Sequence, residues 1–158
     1  MVSEQENIVC KKTIKWFAQY GIKYPGTKFE GGIFHSLSNS LSVILLSGTY
    51  YDYFGDHHFF LGNEDLYKQM KEILNKVITS RNPGEPHLYH SIWISDAYSL
   101  GTYHTGSNIC VYRGCRSLSR LALEIFDEKE YAIELENEAQ AIKNDIEKYM
   151  TVESNGHR

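Results

Sequence analysis

The stretch from Gly106 to Met150, GSNICVYRGCRSLSRLALEIFDEKEYAIELENEAQAIKNDIEKYM, decides the fold of this chain. Apolar residues recur in it at spacings of three and four, which predicts one helix to about Phe126 and a second to about Met150. The DEKE sequence between them is typical of a capping box, with Asp127 as N-cap and Glu130 as its partner. Because the join is short, we expect an antiparallel hairpin.

The rest of the chain carries three further helical patterns. They cover about Glu6–Tyr20, about Ile33–Ser47, and a segment that begins at Asn63 and ends before Asn82-Pro83-Gly84. We find no convincing strand run. The sequence therefore predicts an all-α fold of antiparallel helical hairpins, in a single domain over residues 1–158.

Three irregular segments interrupt the helices: Tyr24–Gly32, Thr49–Gly62 and Arg81–His104. Long loops in a domain are usually functional or disordered, and the last two of these segments are too aromatic for disorder. Loops that join successive helices are expected to collect at one end of a helical bundle, where they can form a shared pocket.

Composition limits the classes of function. The 158 residues carry a net charge of −4, which argues against binding nucleic acid through a broad basic surface. The acidic start is not a signal peptide, and the apolar stretch near Leu41–Leu46 is too short to span a bilayer. Three cysteines without a CxxC pair indicate free thiols. We therefore expect a soluble, cytoplasmic protein with no membrane partner.

Aromatic residues make up 13% of the chain, and twelve of them are tyrosines. Exposed Tyr and Trp can bind polar ligands through their apolar faces. The alternative is that these rings pack inside a helical core.

Asp96 lies between aromatic residues shortly before a helix. A partly apolar site disfavours the carboxylate anion, so this carboxyl group is a candidate general acid with a raised pKa. Trp93, Tyr98 and Tyr103 could stack on a sugar ring. Alternatively, Asp96 caps a local turn and the rings pack the helix ends.

The segment from Trp93 through Asp96 and the sequence YHTGSN at 103–108 into the following helix resembles part of an (α/α)6-toroid, or six-hairpin, glycosidase. The resemblance covers about residues 90–150, and it implies that Asp96 protonates the departing glycosidic oxygen. A complete toroid has more helices than this chain supplies. The chain would then be a segment of a larger enzyme, a small helical protein, or a subunit of a homo-oligomer that completes the ring.

Hydrolysis also requires a second carboxylate, and Glu30, beside Gly31-Gly32, is the loop residue we nominate. Its alternative role is that of a solvated turn residue. No metal or other cofactor is expected, because carboxylates can serve oxocarbenium chemistry. The residues assigned to the sugar subsites are Trp93, Tyr98, Tyr103, His104, Tyr51, Tyr53, Asp56 and His57.

Two alternatives to a glycoside hydrolase remain open. A polysaccharide lyase would depend on Tyr103 or His104 more than on Asp96. A non-catalytic helical module would use its aromatic loops to bind a carbohydrate or a protein. Separately, Arg113, Arg116 and Arg120 could clamp an anion, although Arg120 can also form an ordinary surface pair with Glu124.

Overall fold

A computed structural model describes residues 4–20, 33–94, 97–98 and 101–151, with the backbone alone at 93–94 and 97–98. Over these ranges the regular secondary structure is helical apart from two strands of two residues each, which confirms the all-α class. The helices are α1 (Glu4–Tyr20), α2 (Leu37–Ser40), α3 (Ser42–Phe54), α4 (His57–Leu61), α5 (Glu64–Ile78), α6 (Thr105–Glu124) and α7 (Lys129–Tyr149). The strands are β1 (Trp93–Ile94) and β2 (Ala97–Tyr98), and a 3₁₀ turn covers Ile33–His35. No helix in the described part of the chain is both long enough and apolar enough to cross a bilayer.

The helix predicted over Ile33–Ser47 is divided into the 3₁₀ turn, α2 and the first half of α3. The serines explain the division, because their hydroxyl groups compete for backbone partners. Ser40 Oγ donates to the Ile33 carbonyl at 2.9 Å, and Ser42 Oγ donates to the Asn39 carbonyl.

The prediction of an irregular segment over Thr49–Gly62 was wrong for most of its length. Helix α3 continues to Phe54 and ends at Gly55, whose φ of 58° is the left-handed conformation that favours glycine. Helix α4 then begins after Asp56, whose carboxylate accepts a hydrogen bond from the Phe59 backbone N–H.

The join between α6 and α7 also differs from its prediction. The N-cap of α7 is Glu128, not Asp127, and it forms no side-chain cap hydrogen bond. Asp127 has a φ of 52°, so the chain turns through a left-handed residue there. The Glu128 carboxylate instead accepts from Tyr67 Oη at 3.1 Å and pairs with Lys71.

Helices α3 and α6 run in the same direction. A Cβ added to Gly48 would lie 2.2 Å from Ser117 Oγ, so the two helices approach closely at this point. Three residues further along α3, Tyr51 Oη donates to Glu124 at 2.8 Å. Since later residues of α3 meet later residues of α6, both helices begin at the same end of the molecule.

Helix α7 runs against α6 and along α5. Ser119 Oγ donates to the Ala132 carbonyl at 2.9 Å, whereas the earlier Arg116 pairs with the later Glu136 at 3.1 Å. On the other side of α7, Lys71 pairs with Glu128 and Asn75 Oδ1 accepts from Tyr131 Oη at 3.0 Å. Helices α3 and α6 therefore share one direction, and α5 and α7 share the opposite one.

A single hydrophobic cluster lies between these helices. Helix α5 buries the stripe that its periodicity predicts, and α1 packs against α3 and α5 through the buried Ile14. The largest fully buried side chains are Tyr89, Phe60, Ile14, Leu37, Leu41, Ile44, Met70, Leu74, Leu118, Leu121, Leu135 and Ile142.

Candidate functional site

The two strands pair as an antiparallel hairpin in front of α6. Trp93 is the register partner of Tyr98, and Ile94 is the partner of Ala97. Ser95 and Asp96 connect the strands in sequence but lie outside the described residues.

The base of this hairpin is closed by backbone and side-chain contacts. His90 and Tyr103 form an isolated antiparallel bridge, and His90 Nδ1 donates to the Thr102 carbonyl at 2.8 Å. Tyr103 is half-buried. The bridge joins the two sides of the loop that contains both strands.

Asn108 lies directly behind this bridge, in the first turn of α6. Its Oδ1 accepts from the Tyr89 backbone N–H at 2.6 Å, and its Nδ2 donates to the Tyr89 carbonyl at 3.1 Å. The same Nδ2 donates to the His104 carbonyl at 3.0 Å. One fully buried amide thus bonds the residues that flank the bridge on both sides.

His104 is the N-cap of α6. Its Nδ1 accepts from the Ser107 backbone N–H at 3.1 Å, which requires the tautomer with an unprotonated Nδ1. The neighbouring Gly106 leaves room for the ring, because a Cβ there would lie 2.8 Å from His104 Cε1. The sequence assigns His104 to the sugar subsites, whereas its geometry in the structure is that of a helix cap.

The segment before α3 meets the segment before the hairpin. The Ile92 backbone N–H donates to the Phe34 carbonyl at 3.1 Å, and the Leu37 N–H donates to Ser91 Oγ at 3.2 Å. Glu30 precedes this contact in sequence but lies outside the described residues. The 3₁₀ turn and the first residue of α2 therefore contact the two residues before β1, near the beginning of α6. We call this region the hairpin end.

The loop is also attached to α7. Tyr89, which is almost fully buried, donates its hydroxyl hydrogen to Glu138, and His87 Nδ1 lies 2.9 Å from the same carboxylate. The His87 backbone N–H donates to Asp145 at 2.6 Å. Burial raises the pKa of Tyr89, and the hydrogen bond to Glu138 raises it further. These contacts fix the start of the loop that leads to β1.

The other predicted subsite residues lie at the opposite end of α3, which we call the tyrosine end. From Asn108 to Glu124, where Tyr51 makes its hydrogen bond, helix α6 rises by about 24 Å. The structure thus separates the predicted subsite residues into two groups. Those at the tyrosine end are Tyr51, Tyr53, Asp56 and His57.

Tyr51 is a buried member of a polar network. Its hydroxyl hydrogen goes to Glu124, so His57 Nε2, 2.9 Å away, donates to the hydroxyl oxygen. Burial and then the hydrogen bond to Glu124 raise the pKa of Tyr51 to about 12. The Arg120 guanidinium lies 5.1 Å from the centre of the Tyr51 ring.

The Asp56 carboxylate, like the Tyr51 hydroxyl, is engaged in structural hydrogen bonds. It accepts from Tyr50 Oη at 2.7 Å and from the Phe59 N–H at 3.0 Å, and it pairs with Lys11 at 2.7 Å. Burial raises the pKa of Asp56, but the hydrogen bonds from Lys11 and Tyr50 outweigh burial and lower this pKa to about 2. Asp56 is therefore a structural cap at α4.

Tyr53 differs from its neighbours because 73% of its surface is exposed. It borders an apolar groove between α1 and α3 that Val9 and Thr13 also line. No described contact connects this groove to the hairpin end.

The three arginines of α6 are already paired with carboxylates. Arg113 and Arg120 both contact Asp52, and Arg116 contacts Glu136. Arg120 also pairs with Glu124 at 3.0 Å, as the i,i+4 spacing predicts. Because carboxylates already neutralise these arginines, the pairs form a structural network rather than a site that binds an anion.

The cysteines and metal-binding residue types form no second site in the described ranges. Burial raises the pKa of the Cys115 and Cys110 thiols, which disfavours a nucleophilic thiolate. Within the described residues there is no group of three His, Cys, Asp or Glu side chains close enough to hold a metal ion.

No sequence pattern identified Asn108, Ser91 or Glu138 as residues that hold the loop before α6 in place. A signal for Asn108 was nevertheless present, because it lies on the same helical stripe as the buried Val111 and Cys115. A polar residue on an apolar stripe usually has a specific partner.

No protein-family model, curated protein or solved structure matches this chain.

Proposed function

We propose that this chain binds a carbohydrate and hydrolyses a glycosidic bond in the cytoplasm, as part of an (α/α)-toroid-like assembly. Asp96 donates a proton to the departing glycosidic oxygen, and Glu30 is the second carboxylate. Trp93, Tyr98 and Tyr103 contribute to the sugar subsites.

The observation that carries the proposal is the contact between the two loop segments. The hydrogen bonds Ile92 N–Phe34 O and Leu37 N–Ser91 Oγ hold together the chain segments that lead to Asp96 and to Glu30. A glycosidase needs two carboxyl groups on opposite sides of one bond, so both loops must reach one site.

The directions of the helices give further support. In a toroid of helical hairpins, inner helices run one way and outer helices run the other. The shared direction of α3 and α6, opposite to that of α5 and α7, is compatible with inner and outer layers. In that arrangement the rest of a ring would come from further chain or from other copies.

His104 argues against the lyase alternative. A lyase requires a base that removes a proton from the sugar, and Nδ1 of His104 accepts a backbone hydrogen bond at the start of α6. Products absorbing in the ultraviolet, as unsaturated sugars do, would favour the lyase and contradict the hydrolase.

Sugar binding is tested with a single fluorescent reporter. The chain has two tryptophans, so Trp16→Phe leaves Trp93 as the sole tryptophan, whose emission is excited selectively at wavelengths that tyrosine does not absorb. Defined α- and β-linked oligosaccharides should change its emission in a saturable way. Failure of every oligosaccharide to do so would contradict carbohydrate binding.

Catalysis is tested by release of reducing ends from the oligosaccharides that bind. Asp96→Asn should abolish release while retaining binding, because an amide cannot donate the required proton. The matched control is Asp65→Asn, since Asp65 is a fully exposed aspartate on α5. Parent-like turnover in Asp96→Asn would refute the assignment, and binding without turnover in the parent would favour the non-catalytic module.

A further inference from the structure

We propose that Asn108 is a positioning residue that sets the register of the His90–Tyr103 bridge, at the base of the loop whose sequence contains Asp96. Its consequence for catalysis rests on the function proposed above, whereas its consequence for the loop does not. The consequence for the loop can be measured by hydrogen exchange, which needs no enzymatic activity.

The geometry shows why one side chain can do this. The Asn108 amide bonds both backbone groups of Tyr89, as a neighbouring β-strand would, with distances of 2.6 and 3.1 Å. It also bonds the His104 carbonyl at 3.0 Å. Tyr89 and His104 are the residues next to the His90–Tyr103 bridge, so Asn108 fixes both ends of the loop at once.

Few other side chains could replace this amide. Asparagine supplies one acceptor and two donor hydrogens within a short, planar group. Aspartate has the same shape but cannot donate to the two carbonyls when ionised, and leucine has a similar size but no polar atom. Because Asn108 is fully buried, removing its amide leaves backbone groups of Tyr89 and His104 without these partners.

Register matters at this point because side chains alternate along a strand. A shift of one residue in the His90–Tyr103 bridge would move each following residue to the other face of the hairpin. A residue that prevents this shift would act on the proposed reaction through the base of the loop, without touching the substrate.

The test compares two buried polar residues of α6. Asn108→Ala removes all three side-chain bonds, and Ser119→Ala removes one bond from α6 to the Ala132 carbonyl, far from the loop. Both are made in the Trp16→Phe background, in which Trp93 is the sole tryptophan. Asn108→Ser is the second variant, because a serine hydroxyl can still donate to the His104 carbonyl but cannot reach Tyr89.

Hydrogen exchange and Trp93 emission are measured under conditions in which each variant is folded. Asn108→Ala and Asn108→Ser should speed amide exchange in residues 89–104 at least tenfold relative to α6 and α7, and should increase quenching of Trp93 by acrylamide. Ser119→Ala should change neither of these local signals. Equal exchange profiles in the Asn108 and Ser119 variants would overturn the proposal.

The effect of Asn108 on catalysis is measured with the oligosaccharides that the unsubstituted protein cleaves. Asn108→Ser should lower kcat by about 100-fold with little change in KM, as expected for a misplaced catalytic group. Unchanged kcat with a loosened loop would overturn the link between register and catalysis. A parent without turnover would overturn the proposed hydrolase, and the exchange measurements would still decide the role of Asn108 in the loop.

Discussion

The two ends of the α3–α6 pair are stabilised by different chemistry. At the hairpin end, the contacts of the loop with α2 and α6 are uncharged, as in the bonds of Asn108 to Tyr89 and of Ser91 to Leu37. At the tyrosine end, carboxylates bond tyrosines, lysine and arginine, as in the contacts of Asp56 and Asp52. The carboxylates of the tyrosine end are thus committed to structure. At the hairpin end, the described carboxylate contacts of the loop come from Glu138 and Asp145 of α7, and the bonds described for it to α2 and α6 are between neutral groups.

The largest expected effect comes from the contact that lies between the two ends. Gly48→Ala should lower the free energy of unfolding by about 3 kcal/mol, because the new Cβ would lie 2.4 Å from Ser117 Cβ. Chemical denaturation measures this loss, and both ends should be disturbed. Gly114→Ala is the matched control. Its Cβ would meet Leu74 at an ordinary 3.8 Å, so it should stabilise α6 by up to about 1 kcal/mol. Similar losses in both variants would show that α3 and α6 are not in close contact at Gly48.

The next effect is confined to the tyrosine end. Asp56→Asn should cost about 2 kcal/mol, since it removes the charge that faces Lys11 and weakens the bonds from Tyr50 and the α4 backbone. Thermal and chemical unfolding measure the loss. Emission of Trp93 in the Trp16→Phe background should not change. A change in that emission would contradict the separation of the two ends.

A pH titration should test the tyrosine end at both extremes of pH. The pKa of Asp56 is about 2 in the folded chain against an ordinary 3.8, so its stabilisation is present above about pH 3.8 and is lost as the pH falls toward 2. The pKa of Tyr51 is about 12 against an ordinary 10, so its stabilisation is present below pH 10 and is lost as the pH rises toward 12. The unfolding midpoint should therefore decline on both sides of a plateau, and Asp56→Asn should reduce the acid decline. An acid decline that is identical in Asp56→Asn would assign it to other groups.

The smallest effect is expected from the exposed arginine pairs. Arg116→Gln should change the free energy of unfolding by less than about 0.5 kcal/mol, because Arg116 and Glu136 are each about half exposed. Unfolding in 0.1 M and 1 M salt should show this difference shrinking with salt. A loss above 1 kcal/mol would mean that the arginine face of α6 is covered in solution.

The spacing of apolar residues was sufficient to predict the helices that bury a single apolar stripe. Helix α5 was predicted from Leu66, Met70 and Ile73, and these residues are buried as expected. The continuation of α3 through Tyr51 was missed, because this ring is stabilised in a helix by a partner that is distant in sequence. Tyr51 bonds Glu124, 73 residues away, and no local pattern contains that information.

The same limit applies to the candidate site. The sequence identified the Trp93–Asp96 segment and the polar YHTGSN motif, and the structure adds the hydrogen bonds that join that motif to Tyr89. It also assigns Asp56 and His57 to contacts that sequence spacing could not anticipate. Asp56 was predicted to be a subsite residue because it lies among aromatic residues. One of those residues, Tyr50, instead donates a hydrogen bond to the Asp56 carboxylate.

The close approach of Gly48 to Ser117 has an evolutionary consequence. A chain that acquires a larger residue at position 48 must lose volume at position 117, so substitutions at these two sites should occur together in descendants of this sequence. Such a coupled pair would mark the alignment of α3 with α6 in homologous chains, even where the loops have diverged in length.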